Sequence, residues 1–311
     1  MDGTGMTDLD LEQLVGLNPD QVRSLIPGWL GAFVAGDGET AARSTAVAAA
    51  TVTELSDAAL VATMARLGST GSDYGFFPAD PGARALIRAY MHSFSEGSTV
   101  TGIPHLAAAT KAGPVLLVCN HLAYCDTVLK DMVLAQAGAE ALADRLIAIA
   151  GPKVYGTPFR RMASLGVGTI KTAQSTAIAH TDGGLSPRAV AEIAVRTVAE
   201  AHKQMRVGGL VVLYGEGSRS RDQRLGPFIK AIRKYAKLPG CRVVPLALSG
   251  TDILMPIGQH QMHLGRAALQ IGEPCLVDEI GPMAAIAMAW QRIADMLPQR
   301  HRPAKSIGPW G

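Results

Sequence analysis

The pattern of apolar and polar positions changes near residue 98, and that change predicts the architecture. Up to about residue 97 the chain reads as helical, with few strand signals. Asn18-Pro19-Asp20 reads as a helix start leading into Gln21 to Val34, with a kink or split expected at Pro27-Gly28. Thr40 to Leu55 is alanine-rich and helical, and a cap at Ser56 or Asp57 opens a helix running to Leu67, with Gly68 placed as its C′ glycine. Asp80-Pro81 is a cap followed by proline at the first helical position, and Gly97 ends the segment.

From Ser98 onward, short apolar runs alternate with helix-like segments. The runs are Val115–Cys119, Arg145–Ala150, Val167–Lys171, Leu210–Tyr214, Arg242–Leu248 and Ala268–Ile271. Between them lie Thr127–Gln136, Pro158–Leu165, Pro187–Arg206, Pro227–Lys237 and Met283–Leu297. Such alternation predicts an α/β fold: a mixed, largely parallel sheet flanked by helices, preceded by a helical N-terminal region. The division is a helical accessory or cap region over 1–97 and an α/β domain over 98–311. The tail after Arg302 is expected to be loose.

Composition narrows the class. The 311 residues are 48% hydrophobic and 18% charged, so a sizeable core is available and the chain is globular. Aromatic residues are only 5%, which fits a helix-rich protein. A net charge of +3 is too small to argue for nucleic acid. The four cysteines, Cys119, Cys125, Cys241 and Cys275, have no paired spacing, so neither a disulfide framework nor a zinc site is expected. The acidic opening stretch does not read as a secretory leader, and no apolar run reaches membrane-spanning length. The expected place is the cytoplasm, possible membrane contact being peripheral and on the inner face.

The candidate chemistry gathers at strand ends, where open α/β sheets bind ligands. Asn120-His121 follows the first apolar run, and Asp126 stands five residues after the histidine. On one continuous helix these side chains would point about 140° apart. They meet only if the chain turns, with His121 in a loop and Asp126 near a helix start. A carboxylate on one imidazole nitrogen leaves the other free to take a proton, so the pair is a candidate general base.

Lys171 ends a later strand and is a candidate for an anionic ligand, whereas Lys153, Arg160 and Arg161 read more simply as a solvated basic face. Tyr214-Gly215-Glu216-Gly217-Ser218-Arg219-Ser220-Arg221 ends another strand. Its glycines let backbone amides approach an anion, and Arg219 and Arg221 suit phosphate. The run Arg242–Leu248 contains Val244-Pro245, where proline marks an edge, a bulge or a ligand-facing break. No Walker loop, Gly-x-Ser-x-Gly or His-Glu-x-x-His occurs.

These four stretches, in this order, resemble the blocks of the glycerolipid acyltransferase family, which acylates glycerol-3-phosphate and lysophosphatidic acid. The first block, Asn-His-x4-Asp, matches Asn120, His121 and Asp126. The second matches Gly151 to Lys171, and the third matches Tyr214 to Ser220, with Tyr214-Gly215 where the family usually has Phe-Pro. Val244-Pro245 matches the fourth, and Val100 to His105 looks like the family's lead-in strand. The resemblance covers about residues 98 to 255.

The resemblance implies a transfer of an acyl group from coenzyme A or acyl carrier protein to a hydroxyl, without a cofactor or metal. His121 would be the base and Asp126 its partner. Arg219, with Arg221 and Lys171, would hold the acceptor's phosphate, Glu216 and Gly217 would shape the site, and amides near Gly215 and Gly217 could meet the oxyanion. Three other readings stay open: a covalent route through Cys125, an acceptor that is not a glycerolipid, and a non-catalytic acyl-lipid-binding protein.

Overall fold

The computed structural model describes residues 9–36, 38–173 and 185–310, so the acidic opening stretch lies outside it. Among the described residues nine strands form one sheet: β1 (Phe76–Phe77), β2 (Thr99–Thr101), β3 (Val115–Cys119), β4 (Leu146–Ala150), β5 (Gly168–Lys171), β6 (Leu210–Tyr214), β7 (Arg242–Ser249), β8 (Ala268–Ile271) and β9 (Cys275–Leu276). Their spatial order is β1-β5-β4-β6-β3-β7-β8-β2, with β9 paired to the start of β7. The five central strands, β5 to β7 in that order, run parallel. β1 and β8 join them antiparallel, so the sheet is mixed but largely parallel.

Alternation along the central strands sets the layers, because successive side chains of a strand face opposite sides. Val115, Leu117 and Cys119 of β3, with Leu210 and Val212 of β6, enter one core. That core also takes Trp29 and Leu30 of helix Pro19–Gly31, Met64 of helix Asp57–Ser69 and Tyr90 of helix Pro81–Ser95. Leu116 and Val118, with Val211 and Leu213, enter the opposite core against Met205 of helix Pro187–Arg206 and Trp290 of helix Pro282–Met296.

Helix Asp126–Gln136, which follows β3, is clamped to helix Pro81–Ser95 by a largely buried ion pair. The Arg88 guanidinium donates to both Asp131 oxygens, at 2.5 and 2.9 Å. Removing one partner from such a pair costs about 3–5 kcal/mol, so the N-terminal helices fix the position of this helix.

Four sequence expectations are corrected. Helix Pro19–Gly31 runs through Pro27 unbroken, the lost backbone bond being offset by burial of Ile26, Pro27, Trp29 and Leu30. Gly68 lies within helix Asp57–Ser69 rather than after it. The segment 227–237 forms only a short 3-10 turn, Lys230–Lys234, because the Ile229 amide is taken by the Gly215 carbonyl. The tail after Arg302 is pinned: the Phe228 amide donates to the Pro309 carbonyl, and Trp310 bridges to Phe228.

Candidate active site

The five residues of β3 are all buried, and the strand ends on Asn120. The Asn120 side chain accepts from the Leu248 amide and donates to the Leu248 carbonyl, both at 2.9 Å, as a strand partner would. Extension stops there, and His121 stands in the loop that follows. Asp126 is the first residue of helix Asp126–Gln136, and its carboxylate closes the loop by accepting from the Leu122 and Ala123 amides at 2.8 and 3.1 Å.

The third donor to that carboxylate is His121, whose Nδ1 lies 2.8 Å from Oδ2. Asp126 is fully buried, while the His121 side chain is 17% exposed. Burial by itself would raise the Asp126 pKa, but the His121 hydrogen bond and charge, with the Lys130 ammonium, bring it below the ordinary value. An ionised carboxylate can only accept, so Nδ1 carries the proton and Nε2 is left with a lone pair. Burial lowers the His121 pKa, Lys130 and Arg219 pull the same way, and Asp126 opposes them. A neutral imidazole ready to take a proton results.

The loop after β6 folds back over His121. Glu216 accepts from the His121 amide through one oxygen and from the Gly226 amide through the other, each at 2.8 Å. Burial raises its pKa to about 7, and its role here is to fix the His121 backbone. The Ser220 amide donates to the His121 carbonyl at 2.9 Å. Gly215 is needed for space: a Cβ there would lie 2.4 Å from the Phe228 ring. Of the amides near an expected oxyanion, those of Gly215 and Gly217 themselves are already taken. The Gly215 amide donates to the Cys119 carbonyl and the Gly217 amide to the Tyr214 carbonyl. Gly217 supplies the turn, at φ +73°.

Arg219 lies against the Tyr124 ring, 3.8 Å from its centroid, and Arg160 lies against the same ring at 4.0 Å. Arg160 thus belongs to the site rather than to a solvated face. Arg221, two residues beyond Arg219, is exposed. Lys171 is elsewhere, at the end of β5, where its ammonium donates to the Gly71 carbonyl at 2.7 Å and faces the Tyr74 ring. The Cys125 side chain is buried in the core shared with the N-terminal helices. Burial pushes its thiol well above the ordinary range, which disfavours the thiolate that a covalent route needs.

Arg160 also lines a cleft of about 440 Å³, whose apolar wall includes Trp29, Phe33, Phe159 and Met255. The cleft does not include His121, but Arg160 on its wall also lies against Tyr124, three residues after the histidine. Among the described residues, no cluster of three or more His, Cys, Asp or Glu is arranged to hold a metal. No single helix among them is long and apolar enough to cross a membrane.

Sequence reasoning missed Tyr124, Thr127, Lys130 and the Tyr214 hydroxyl. Lys130 had a weak signal, since it follows Asp126 at the i+4 spacing that shares a helix face.

A largely parallel sheet thus carries, just past one strand end, a histidine hydrogen-bonded to a buried carboxylate. Residues 98–249 match the family model described as Acyltransferase, so this part of the chain is an acyltransferase-family domain. It is similar to the chloroplastic 1-acyl-sn-glycerol-3-phosphate acyltransferase BAT2 of Brassica napus, 44% identical over 54 residues, 17% of this chain and 16% of that protein. The chloroplastic 1-acyl-sn-glycerol-3-phosphate acyltransferase LPAT1 of Arabidopsis thaliana is 43% identical over 54 residues, 17% of this chain and 15% of that protein. The chain thus spans about a sixth of the length of these curated relatives. Among solved structures, the 1-acyl-sn-glycerophosphate acyltransferase PlsC of Thermotoga maritima overlays with a TM-score of 0.45 at 19% identity, over 72% of this chain and 83% of that one.

Proposed function

We propose that the protein is an O-acyltransferase that moves a fatty acyl group from an acyl thioester to the hydroxyl of a phosphorylated glycerol, either glycerol-3-phosphate or 1-acylglycerol-3-phosphate. The observation that carries this reading is the His121 imidazole, whose Nδ1 is held by buried Asp126 and whose other nitrogen remains free to accept a proton. Nε2 takes the acceptor's hydroxyl proton as the oxygen attacks the thioester carbonyl. The C–S bond then breaks, and the departing thiolate takes the proton from the imidazolium. Asp126 stabilises that imidazolium while it lasts.

Arg219 and Arg160, both against Tyr124, face the acceptor's phosphate, so that its hydroxyl is held near His121. The apolar wall of the adjoining cleft receives the acyl chain, from coenzyme A or from acyl carrier protein. This chemistry needs no cofactor. Similarity to enzymes named for 1-acyl-sn-glycerol-3-phosphate makes that acceptor the first to try. Such an acceptor would place the enzyme in the cytoplasm, working peripherally at the inner membrane face.

The test is thiol release from palmitoyl-coenzyme A and palmitoyl-carrier protein, each with glycerol-3-phosphate, 1-acylglycerol-3-phosphate or no acceptor. Acceptor-dependent release that disappears in His121→Ala is expected. Release that ignores the acceptor would instead make the protein a thioesterase.

A further inference from the structure

Lys130 is among the largest fully buried side chains, at 0% exposure, and among the described residues no carboxylate forms an ion pair with its ammonium. Burying an ammonium costs several kcal/mol, and a methionine would fill a similar space without that cost. Packing alone therefore does not explain a lysine here. Its partners do. The ammonium donates to the Asp126 carbonyl at 3.2 Å and to the Tyr214 hydroxyl at 3.1 Å, and lies 4.6 Å from the centroid of the Tyr214 ring.

The direction of this network follows from donor chemistry. An ammonium has no lone pair, so the Tyr214 oxygen must accept from Lys130. The phenolic proton is then left for Thr127 Oγ1, 2.6 Å away. The hydroxyl is thus held by two partners, which pins the tip of the Tyr214 side chain. His121 lies on that ring, with centroids 4.0 Å apart and planes 21° apart. Tyr214 is also where the sequence departs from the Phe-Pro usual in the resembled block, and Lys130 gives its extra hydroxyl a partner.

We propose that Lys130 is a positioning residue for His121, docking the Tyr214 ring against the imidazole and supplying the buried positive charge that balances Asp126. This rests on the reading of His121 as the base. The charged and titratable groups around the imidazole are Asp126 and Lys130 from its helix, Cys119 from β3, and Tyr214, Glu216 and Arg219 from β6 and its loop. Arg160 stands beyond Tyr124, and Asp252 beyond Cys125. Cys119 and Tyr214 are both held neutral, because burial raises each of them. With a neutral imidazole, Asp126 and Lys130 balance, and protonating His121 adds an uncompensated positive charge.

The test is an NMR titration of the His121 ring in Lys130→Met and Tyr214→Phe, beside the pH profile of kcat/KM. Removing the ammonium takes away a repulsion against the imidazolium, so the His121 midpoint in Lys130→Met moves up by about one pH unit. The acid limb of kcat/KM moves with it. Tyr214→Phe keeps the ring and frees the lysine, so kcat falls several-fold with KM unchanged. A His121 midpoint unmoved in folded Lys130→Met overturns the proposal. If that variant does not fold, an unchanged kcat in Tyr214→Phe overturns it instead. The titration reads the imidazole whether or not acyl transfer occurs. Failure of the base assignment itself would appear separately, as activity surviving in His121→Ala.

Discussion

Two strand ends of the same sheet carry the same sequence signal and have different fates. His121 stands two residues past the end of β3 and Lys171 is the last residue of β5, each a polar residue after an apolar run. Register puts Lys171 level with Cys119, two residues before His121, on the same rim of the sheet: Ala148 pairs with both Val212 and Thr169, Ala150 with Lys171, and Cys119 with Tyr214. Laterally they are three strands apart in the order β5-β4-β6-β3, roughly 14 Å at about 4.8 Å per strand. A strand end fixes which rim of the sheet a residue reaches, and strand order decides what it meets there. At β3 the neighbours are the ends of β6 and β7, which bring Glu216 and Arg219 to His121 and Leu248 to Asn120. At β5 the neighbour is β1, and the turn leading to it supplies the Gly71 carbonyl to Lys171.

The largest effect that would test this difference lies at the β3 end. Asp126→Asn keeps the side-chain volume, but its amide can donate to Nδ1, which moves the imidazole proton to Nε2 and removes the base. A fall in kcat of roughly 10³- to 10⁴-fold is expected. Asp126 raises the His121 pKa, so its loss lowers that value further and the imidazole stays neutral at pH 7. Raising the pH will therefore not rescue the variant. A rate at pH 7 close to that of the unaltered protein would mean that Asp126 tunes His121 without orienting it.

A smaller effect is expected from Arg219→Ala. Hydrogen bonds to charged groups contribute about 1.5–3 kcal/mol, so KM for a phosphorylated acceptor should rise roughly 10- to 100-fold. An unphosphorylated glycerol acceptor would be used equally by both proteins. If KM for the two acceptors shifts alike, Arg219 shapes the loop through Tyr124 rather than binding phosphate.

The same contrast explains what the sequence made legible. The central strands could be read because their apolar runs are buried on both faces and bounded by turn residues, and β3, β6 and β8 begin and end where the pattern put them. His121 and Asp126 could be paired because the spacing itself required a turn. Lys171 could not be placed, since lateral order in a parallel sheet depends on crossovers that leave no local mark. Arg160 looked like a surface charge because its partner, Tyr124, is distant in sequence and belongs to another block. Lys130 was passed over because one lysine in an apolar helix does not show which way it points.

The smallest effect belongs to the β5 end, and it sharpens the comparison most. Lys171→Met removes the donor to Gly71 and the charge beside the Tyr74 ring, while keeping most of the buried stem. With Lys171 three strands from His121, kcat and acceptor KM should each change less than about twofold, well short of the 1.4 kcal/mol that makes a factor of ten. The cost should instead appear as stability: one hydrogen bond on a half-buried group is worth about 1 kcal/mol, which lowers the melting midpoint by about 2 °C in a chain of this size. Thermal melts and steady-state kinetics on one preparation separate the two. A KM that rises for phosphorylated acceptor alone would bring Lys171 back among the phosphate ligands and require the β5 end to move toward His121 when substrate binds.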